Sequence, residues 1–169
     1  MKIAFVGYMG SGKSFWANKL ALEIGLQYID LDSFLEENYL HSSVSDFIRD
    51  KGEIMFRKLE KQALLVLCES ENDMVLSCGG GTPCYYNNME TLNDNFYTVY
   101  LNCTIKTLVS RLSDELSHRP LLNHLDPSEL KEFVAKHLFE RRIFYSQAKI
   151  TLNENHFNME SLLKIIPTT

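Results

Sequence analysis

Near the start of this 169-residue chain runs Gly7-Tyr8-Met9-Gly10-Ser11-Gly12-Lys13-Ser14, which constrains the fold more than any other segment. The run fits G-x-x-x-x-G-K-[ST]. It lies between a short apolar stretch, Lys2 to Val6, and an amphipathic one, Lys13 to Ile24. A strand that feeds a glycine loop, which in turn opens a helix, wraps backbone N–H groups around a phosphate. The N–H groups of Gly10 to Ser14 are expected to face phosphate oxygens, and the helix N-terminus adds partial positive charge. Lys13 is placed to reach the β- and γ-phosphates, and the Ser14 hydroxyl to ligate Mg2+. A glycine-rich turn with an incidental lysine is the bland alternative, and it does not account for the strand-helix context.

The remaining sequence repeats that alternation. Strands are expected at Gln27 to Leu31, Met74 to Ser77, Thr98 to Leu101 and Lys149 to Leu152. Helices are expected at Ser33 to Tyr39, from Ser43 to a break at Gly52, and at Glu53 to Glu69, Thr104 to Leu112, Asp126-Pro127 to about Ser146, and Met159 to Ile165. In the first helix Trp16, Leu20 and Ile24 share a stripe and Gly25 is the stop. Ser43 and Asp46 have capping-box spacing, and Asp126-Pro127 reads as an N-cap followed by proline at the first helical position. Strand-helix alternation of this kind implies an α/β fold, a parallel sheet with helices on both faces. No repeat, low-complexity stretch or linker interrupts it, so one domain is expected over 1–169. The segment Ser113 to Leu125 has no clear period, carries Arg119-Pro120 and reads as a loop or lid.

Composition removes several function classes. Seventeen Lys plus Arg against 22 Asp plus Glu gives a net charge of −5, which argues against a general nucleic-acid binder. The apolar runs fall well short of the roughly 20 residues a membrane-spanning helix needs. No cleavage site follows the apolar N-terminal run, so a cytosolic location is expected. Cys68, Cys78, Cys84 and Cys103 lack C-x-x-C spacing and are expected as reduced thiols. The five histidines do not follow zinc-ligand spacing.

Four further features carry chemistry. Asp30-Leu31-Asp32 closes the second strand, where ligands bind in open α/β sheets. Alternation puts both carboxylates on one side: one faces a Mg2+ shell and the other a substrate hydroxyl, or else Asp32 only caps the following helix. Arg57 has Glu53 four residues before it and Glu60 three after. Helix-surface pairing explains that spacing; a bidentate grip on a substrate carboxylate is the alternative. Gly79-Gly80-Gly81 follows a strand, where a ligand can lie against bare backbone. Arg119 sits in the candidate lid, suited to charge on a transferring phosphoryl group. Arg141 shares a helix face with Tyr145, four residues on.

Taken in order and spacing, Gly7 to Ser14, Asp30-Leu31-Asp32, Phe56 to Glu60, Gly79 to Gly81, Arg119-Pro120-Leu121-Leu122 and the Arg141–Tyr145 pair closely resemble shikimate kinase, from Lys2 to about Leu152. That resemblance implies a three-layer P-loop kinase fold with a five-stranded parallel sheet of order 2-3-1-4-5, a mobile lid at about 113–125 and a substrate-binding helical segment at about 33–60. It implies transfer of the ATP γ-phosphoryl group to the 3-hydroxyl of shikimate, in aromatic amino-acid biosynthesis, by a monomer with Mg2+. Asp32, Lys13 and Arg119 would be catalytic. Gly10, Ser11, Gly12, Lys13, Ser14, Phe15, Arg111 and Arg119 would bind ATP, with Arg111 flanking the adenine. Asp32, Arg57, Gly79, Gly80, Gly81 and Arg141 would bind shikimate, with Arg57 and Arg141 on its carboxylate. Ser14 and Asp30 would hold Mg2+. The chain departs from the family pattern in having Phe15 and Trp16 after Lys-Ser, and Ile48 where an aromatic residue is usual. A gluconate or nucleoside-monophosphate kinase of the same fold, and a non-catalytic nucleotide-binding module, are the competing readings. The presence of Asp32, Arg57, Arg119 and Arg141 together counts against the module.

Overall fold

The computed structural model describes residues 1–114 and 127–167. Five parallel strands form one sheet in the order β2-β3-β1-β4-β5: β1 Lys2–Val6, β2 Gln27–Asp30, β3 Met74–Ser77, β4 Tyr97–Asn102 and β5 Ile150–Asn153. Among the described residues the α-helices are α1 Lys13–Ile24, α2 Leu31–Leu35, α3 Val44–Lys51, α4 Glu53–Glu69, α5 Asn88–Asn95, α6 Ile105–Ser113, α7 Pro127–Tyr145 and α8 Met159–Ile165.

The order follows from which strands are buried on both faces. β1 is Lys-Ile-Ala-Phe-Val with its last four residues buried, and β3 is buried throughout. A two-residue side-chain period sends Ile3 and Phe5 to one face of the sheet and Ala4 and Val6 to the other. On the first face Ile3, Phe5, Val75, Val99 and Leu101 pack with Ala17, Leu20 and Ala21 of α1 and Leu162 of α8. On the other, Ala4, Val6 and Leu76 pack with α2, α4, α5, α6 and α7, through Leu31, Leu64, Leu92, Leu108 and Val134 among others. A continuous apolar run survives in the middle of a sheet because helices cover both sides. Edge strand β2 has no fully buried residue.

Several local expectations hold. α1 ends at Gly25 with φ 70°, α3 is capped by Ser43, whose hydroxyl accepts from the Asp46 N–H, and Gly52 separates α3 from α4. Others shift. The fully buried stripe of α1 runs through Ala17, Leu20 and Ala21, which let the helix lie close to the sheet, and Trp16 and Ile24 are its half-buried margins. β2 stops at Asp30 and the helix starts at Leu31, two residues early, because the Asp30 carboxylate accepts from the N–H groups of Asp32 (3.1 Å) and Ser33 (3.4 Å). Asp30, not Asp32, is therefore the cap. α2 runs into a wide turn at Glu36–Leu40 closed by a five-residue N–H bond from His41 to Glu36. α5 was not expected. Its signal is Met89, Leu92 and Phe96, all buried at helical spacing, hidden among asparagines and behind Tyr86 and Asn87 in left-handed backbone. Of the lid expected at about 113–125, Ser113 closes α6 and Asp114 is its C-cap, and the remainder, with Arg119, lies outside the described residues, as does the Asp126 cap. Among the described residues no helix is long and apolar enough to cross a membrane.

Gly25 offers a clean test of local backbone chemistry. A Cβ there would meet nothing within 4 Å, so Gly25→Ala adds only left-handed strain. It is expected to lower unfolding free energy by about 1 kcal/mol, read by urea denaturation, with the far-ultraviolet circular dichroism unchanged.

Candidate active site

A cavity of about 770 Å3 opens at the carboxyl ends of β1, β2 and β3. Gly10, Gly12, Lys13, Ser14, Phe15 and Arg111 line one part, and Asp30, Asp32, Gly79 and Gly80 line another. Ser11, Arg57, Gly81 and Arg141 stand outside its lining.

The loop between β1 and α1 holds Gly10 at φ 76° and Gly12 at φ 92°, left-handed values that favour glycine. Its N–H groups are not all directed at a ligand, as the sequence suggested. The Ser11 N–H turns inward to the Tyr8 carbonyl (3.2 Å), and the buried Ser11 hydroxyl has no hydrogen-bond partner. The same Tyr8 carbonyl accepts from Lys13 Nζ at 2.9 Å, so the lysine is folded against the loop. Arg111 crosses from α6 and donates from Nη1 to the Gly10 carbonyl at 3.0 Å, bracing the loop from outside. Phe15 is 56% exposed and meets Trp16 edge-on, and Trp16 meets Phe157.

Behind the loop the Ser14 hydroxyl donates to Asp30 Oδ2 (3.0 Å) and lies 3.2 Å from Ser77 Oγ. Two hydroxyls and a carboxylate form an all-oxygen group, which suits a hard cation that keeps several waters. Among the described residues no three His, Cys, Asp or Glu side chains converge as a metal cage. An ion here would complete its shell from phosphates and water.

Asp32 reaches the cavity from the first turn of α2. The strand alternation expected for Asp30 and Asp32 fails, because the helix starts between them, yet both carboxylates still face the same space. Burial pushes the Asp32 pKa up to about 6, with the Asp30 and Glu60 charges adding to the rise and Lys13 and Arg57 opposing it.

Arg57 shows why spacing misled. Its ion pairs to Glu53 (Nη2, 3.1 Å) and Glu60 (Nη1, 2.9 Å) are the ones that helix spacing predicts, but only the Glu53 partner is solvated, and the Glu60 pair is buried. The Arg57 side chain is 11% exposed and that of Glu60 is 0%. Glu60 also accepts from Thr82 Oγ1 at 2.6 Å, and the guanidinium lies 4.4 Å from the centre of the Tyr85 ring. Burial works against the Arg57 charge, but Glu60, Tyr85 and Glu53 together outweigh it and raise the pKa.

Gly79 to Gly81 have ordinary φ values, so backbone freedom is not what these glycines supply. They supply room. A Cβ at Gly79 would stand 2.9 Å from Asp32 Oδ1, and one at Gly81 2.8 Å from Arg57 Cζ. The glycines let the acid and the guanidinium close on the strand end.

Arg141 comes from α7, and its charge is felt at Cys84 and Tyr85, where that of Arg57 is felt too. Tyr145 is fully buried, and its hydroxyl donates to the Gly80 carbonyl at 2.5 Å. Glu60, Thr82, Tyr85 and Tyr145 were not singled out as site residues from sequence. Only Glu60 and Tyr145 left a trace, as spacing partners of the two arginines. Arg119 lies outside the described residues.

Comparison with known proteins agrees with this geometry. The family model described as Shikimate kinase matches residues 9–168. A shikimate kinase of Flavobacterium johnsoniae is 42% identical over 149 residues, covering 88% of this chain and 86% of its own length. The crystal structure of a shikimate kinase from Bacteroides thetaiotaomicron superposes with a TM-score of 0.87 at 35% identity, covering 97% of this chain and 93% of that one. One from Acinetobacter baumannii, in complex with shikimate, superposes with a TM-score of 0.77 at 28% identity, covering 89% and 82%. The chain belongs to the shikimate kinase family, ATP-dependent enzymes that phosphorylate a shikimate hydroxyl.

Proposed function

We propose that this shikimate kinase moves the γ-phosphoryl group of MgATP to the 3-hydroxyl of shikimate, with Asp32 as the group that orients and deprotonates that hydroxyl. One observation carries the reading: the phosphate loop and the Asp32 carboxylate share a single cavity. A donor and an acceptor held there are adjacent without a covalent intermediate on the protein.

The work is positioning and charge neutralisation, since a loose phosphoryl-transfer transition state leaves little covalent chemistry to the protein. Gly10, Gly12 and Ser14 offer backbone N–H groups to the phosphates. Lys13 leaves the Tyr8 carbonyl to meet the β- and γ-oxygens. Ser14 and Asp30 hold Mg2+, which when bound with ATP offsets phosphate charge. Arg111 and Phe15 flank the nucleotide. Arg57 and Arg141 grip the acceptor carboxylate, and Gly79 to Gly81 leave the room that grip needs. Arg119, from the segment outside the described residues, would cover the transferring group. The raised pKa of Asp32 suits its role, because a base with a pKa near neutrality still ionises at working pH and takes a proton more readily than an ordinary carboxylate. Four free thiols fit a cytosolic enzyme, where thiols stay reduced, and we propose that it acts as a monomer.

Four experiments test these roles. Asp32→Asn is expected to lose most turnover and yet melt higher. The buried carboxyl binds its proton more tightly folded than unfolded, so its contribution to stability is full below the unfolded value of 3.8 and is lost as pH rises through about 6. Removing the charge at pH 7.5 should therefore stabilise the fold, by about 3 kcal/mol. In the unaltered enzyme kcat/KM for shikimate should fall on the acid side with an apparent pKa of about 6. A profile flat down to pH 5 would remove Asp32 as the base.

Arg57→Lys keeps a cation for the buried Glu60 but loses the planar fork. It is expected to raise the shikimate KM by roughly ten-fold or more, with the ATP KM within about two-fold. Equal effects on both constants would reduce Arg57 to a structural partner of Glu60. Lys13→Ala should abolish transfer while leaving the far-ultraviolet circular dichroism unchanged; transfer at the unaltered rate would remove Lys13 from the mechanism.

A further inference from the structure

One contact between the phosphate loop and α7 has no place in the mechanism above. Tyr8, the second residue of the Gly7–Ser14 loop, is 1% exposed, and its hydroxyl shares a 3.0 Å hydrogen bond with His137 Nδ1. The two rings meet edge-on, with centroids 5.5 Å apart, and His137 also leans on Phe133 one turn earlier. Burial holds the Tyr8 hydroxyl up to about 12 and the His137 ring down to about 4, so both partners are neutral at working pH.

The position of this bond along α7 matters. His137, Arg141 and Tyr145 are spaced four residues apart and lie on one helix face. Tyr145 is bonded to the Gly80 carbonyl, and a Cβ on Gly80 would sit 3.3 Å from the Met9 N of the phosphate loop. Arg141 thus stands between two polar attachments of the helix, one to Tyr8 and one to Gly80. Leu130, Val134 and Leu138 already bury α7 in the core, so the helix docks without the Tyr8 bond. Apolar packing tolerates small slides and rolls, whereas a hydrogen bond has a narrow range of length and angle. A roll of the middle turn would move a long guanidinium tip furthest.

We propose that Tyr8 and His137 are positioning residues for the acceptor site: their hydrogen bond pins the middle of α7 to the phosphate loop and so sets where Arg141 stands. The inference rests on the reading of Arg141 as a contact to the acceptor carboxylate. Tyr8 also ties the two substrate regions together, since its carbonyl holds Lys13 and Ser11 while its hydroxyl holds the helix that carries Arg141.

Steady-state kinetics in both substrates tests this, with Tyr8→Phe, His137→Leu, the double variant, His137→Asn and Arg141→Ala. Tyr8→Phe keeps the buried ring and removes only the hydroxyl. It and His137→Leu should each raise the shikimate KM by roughly five-fold, the scale of one neutral hydrogen bond. The ATP KM and kcat should stay within about two-fold. The double variant should be no worse than either single one, because both remove the same bond. Asparagine places an amide atom near the position of Nδ1, so His137→Asn should bring the shikimate KM back towards the unaltered value. An unchanged shikimate KM in Tyr8→Phe, an equal rise for ATP, additive effects in the double variant, or a lower melting temperature alone would each overturn the proposal. Arg141→Ala separates the two readings. If it raises the shikimate KM while Tyr8→Phe does not, only the positioning link falls; if it leaves that constant unchanged, the assignment of Arg141 falls and this inference with it.

Discussion

The site depends on β1 being buried on both faces in the middle of a parallel sheet. Parallel strands bring their carboxyl ends to one edge. With β1 flanked by β3 and β4, and β3 flanked by β2, three ends that bear chemistry come together: the glycine loop after β1, Asp30 and Asp32 after β2, and the glycine triplet after β3. Each lies far from the others in sequence. Hydrophobic burial of Ile3, Ala4, Phe5 and Val6 therefore does more than stabilise the core, because it sets the distance between a phosphate-binding loop and a carboxylate.

The second layer of organisation is charge packed against bare backbone. Glu60 is wholly buried, and two hydrogen bonds hold it, from Arg57 and Thr82. An unpaired carboxylate at that depth would be costly, so Glu60 and Arg57 are mutually required. Pairing leaves the guanidinium charged and stationary, stacked on Tyr85 with Gly81 against it. Asp32 stands near two other acids and is offset by Lys13 and Arg57, which leaves its proton affinity raised but within reach of neutrality. A chain of net charge −5 still carries local positive charge at the carboxyl ends of its strands, where Lys13 and Arg111 line the cavity and Arg57 lies against Gly81.

Legibility in the sequence followed the range of the interaction. The glycine loop, the Gly25 stop, the Ser43 cap and most strand and helix positions rest on local chemistry and were readable. Capping by Asp32 stayed open in the sequence and Asp30 proved to be the cap, because strand alternation and helix capping compete for the same three residues and spacing does not say which starts first. α5 was missed because its apolar positions are sparse among polar neighbours, so only burial against the sheet reveals its period. Glu53, Arg57 and Glu60 looked like a surface ladder, since i, i+3 and i+4 spacing is the same on a buried face as on an exposed one.

By itself the sequence determined that a strand, a glycine loop and a helix come first, that strand and helix then alternate, and that an acid pair, a glycine triplet and separated arginines accompany them. Those are statements about neighbours along the chain, where residue type and spacing suffice. Tertiary structure alone decided that Gly79 and Gly81 serve as space for Asp32 and Arg57 rather than as flexible backbone. It also decided that Glu60 is buried beneath Arg57, and that Tyr8 meets His137 and Tyr145 meets Gly80 across α7. The physical reason is that burial and side-chain contact are set by packing between elements distant in sequence, and no local pattern records which face of a helix will meet which loop.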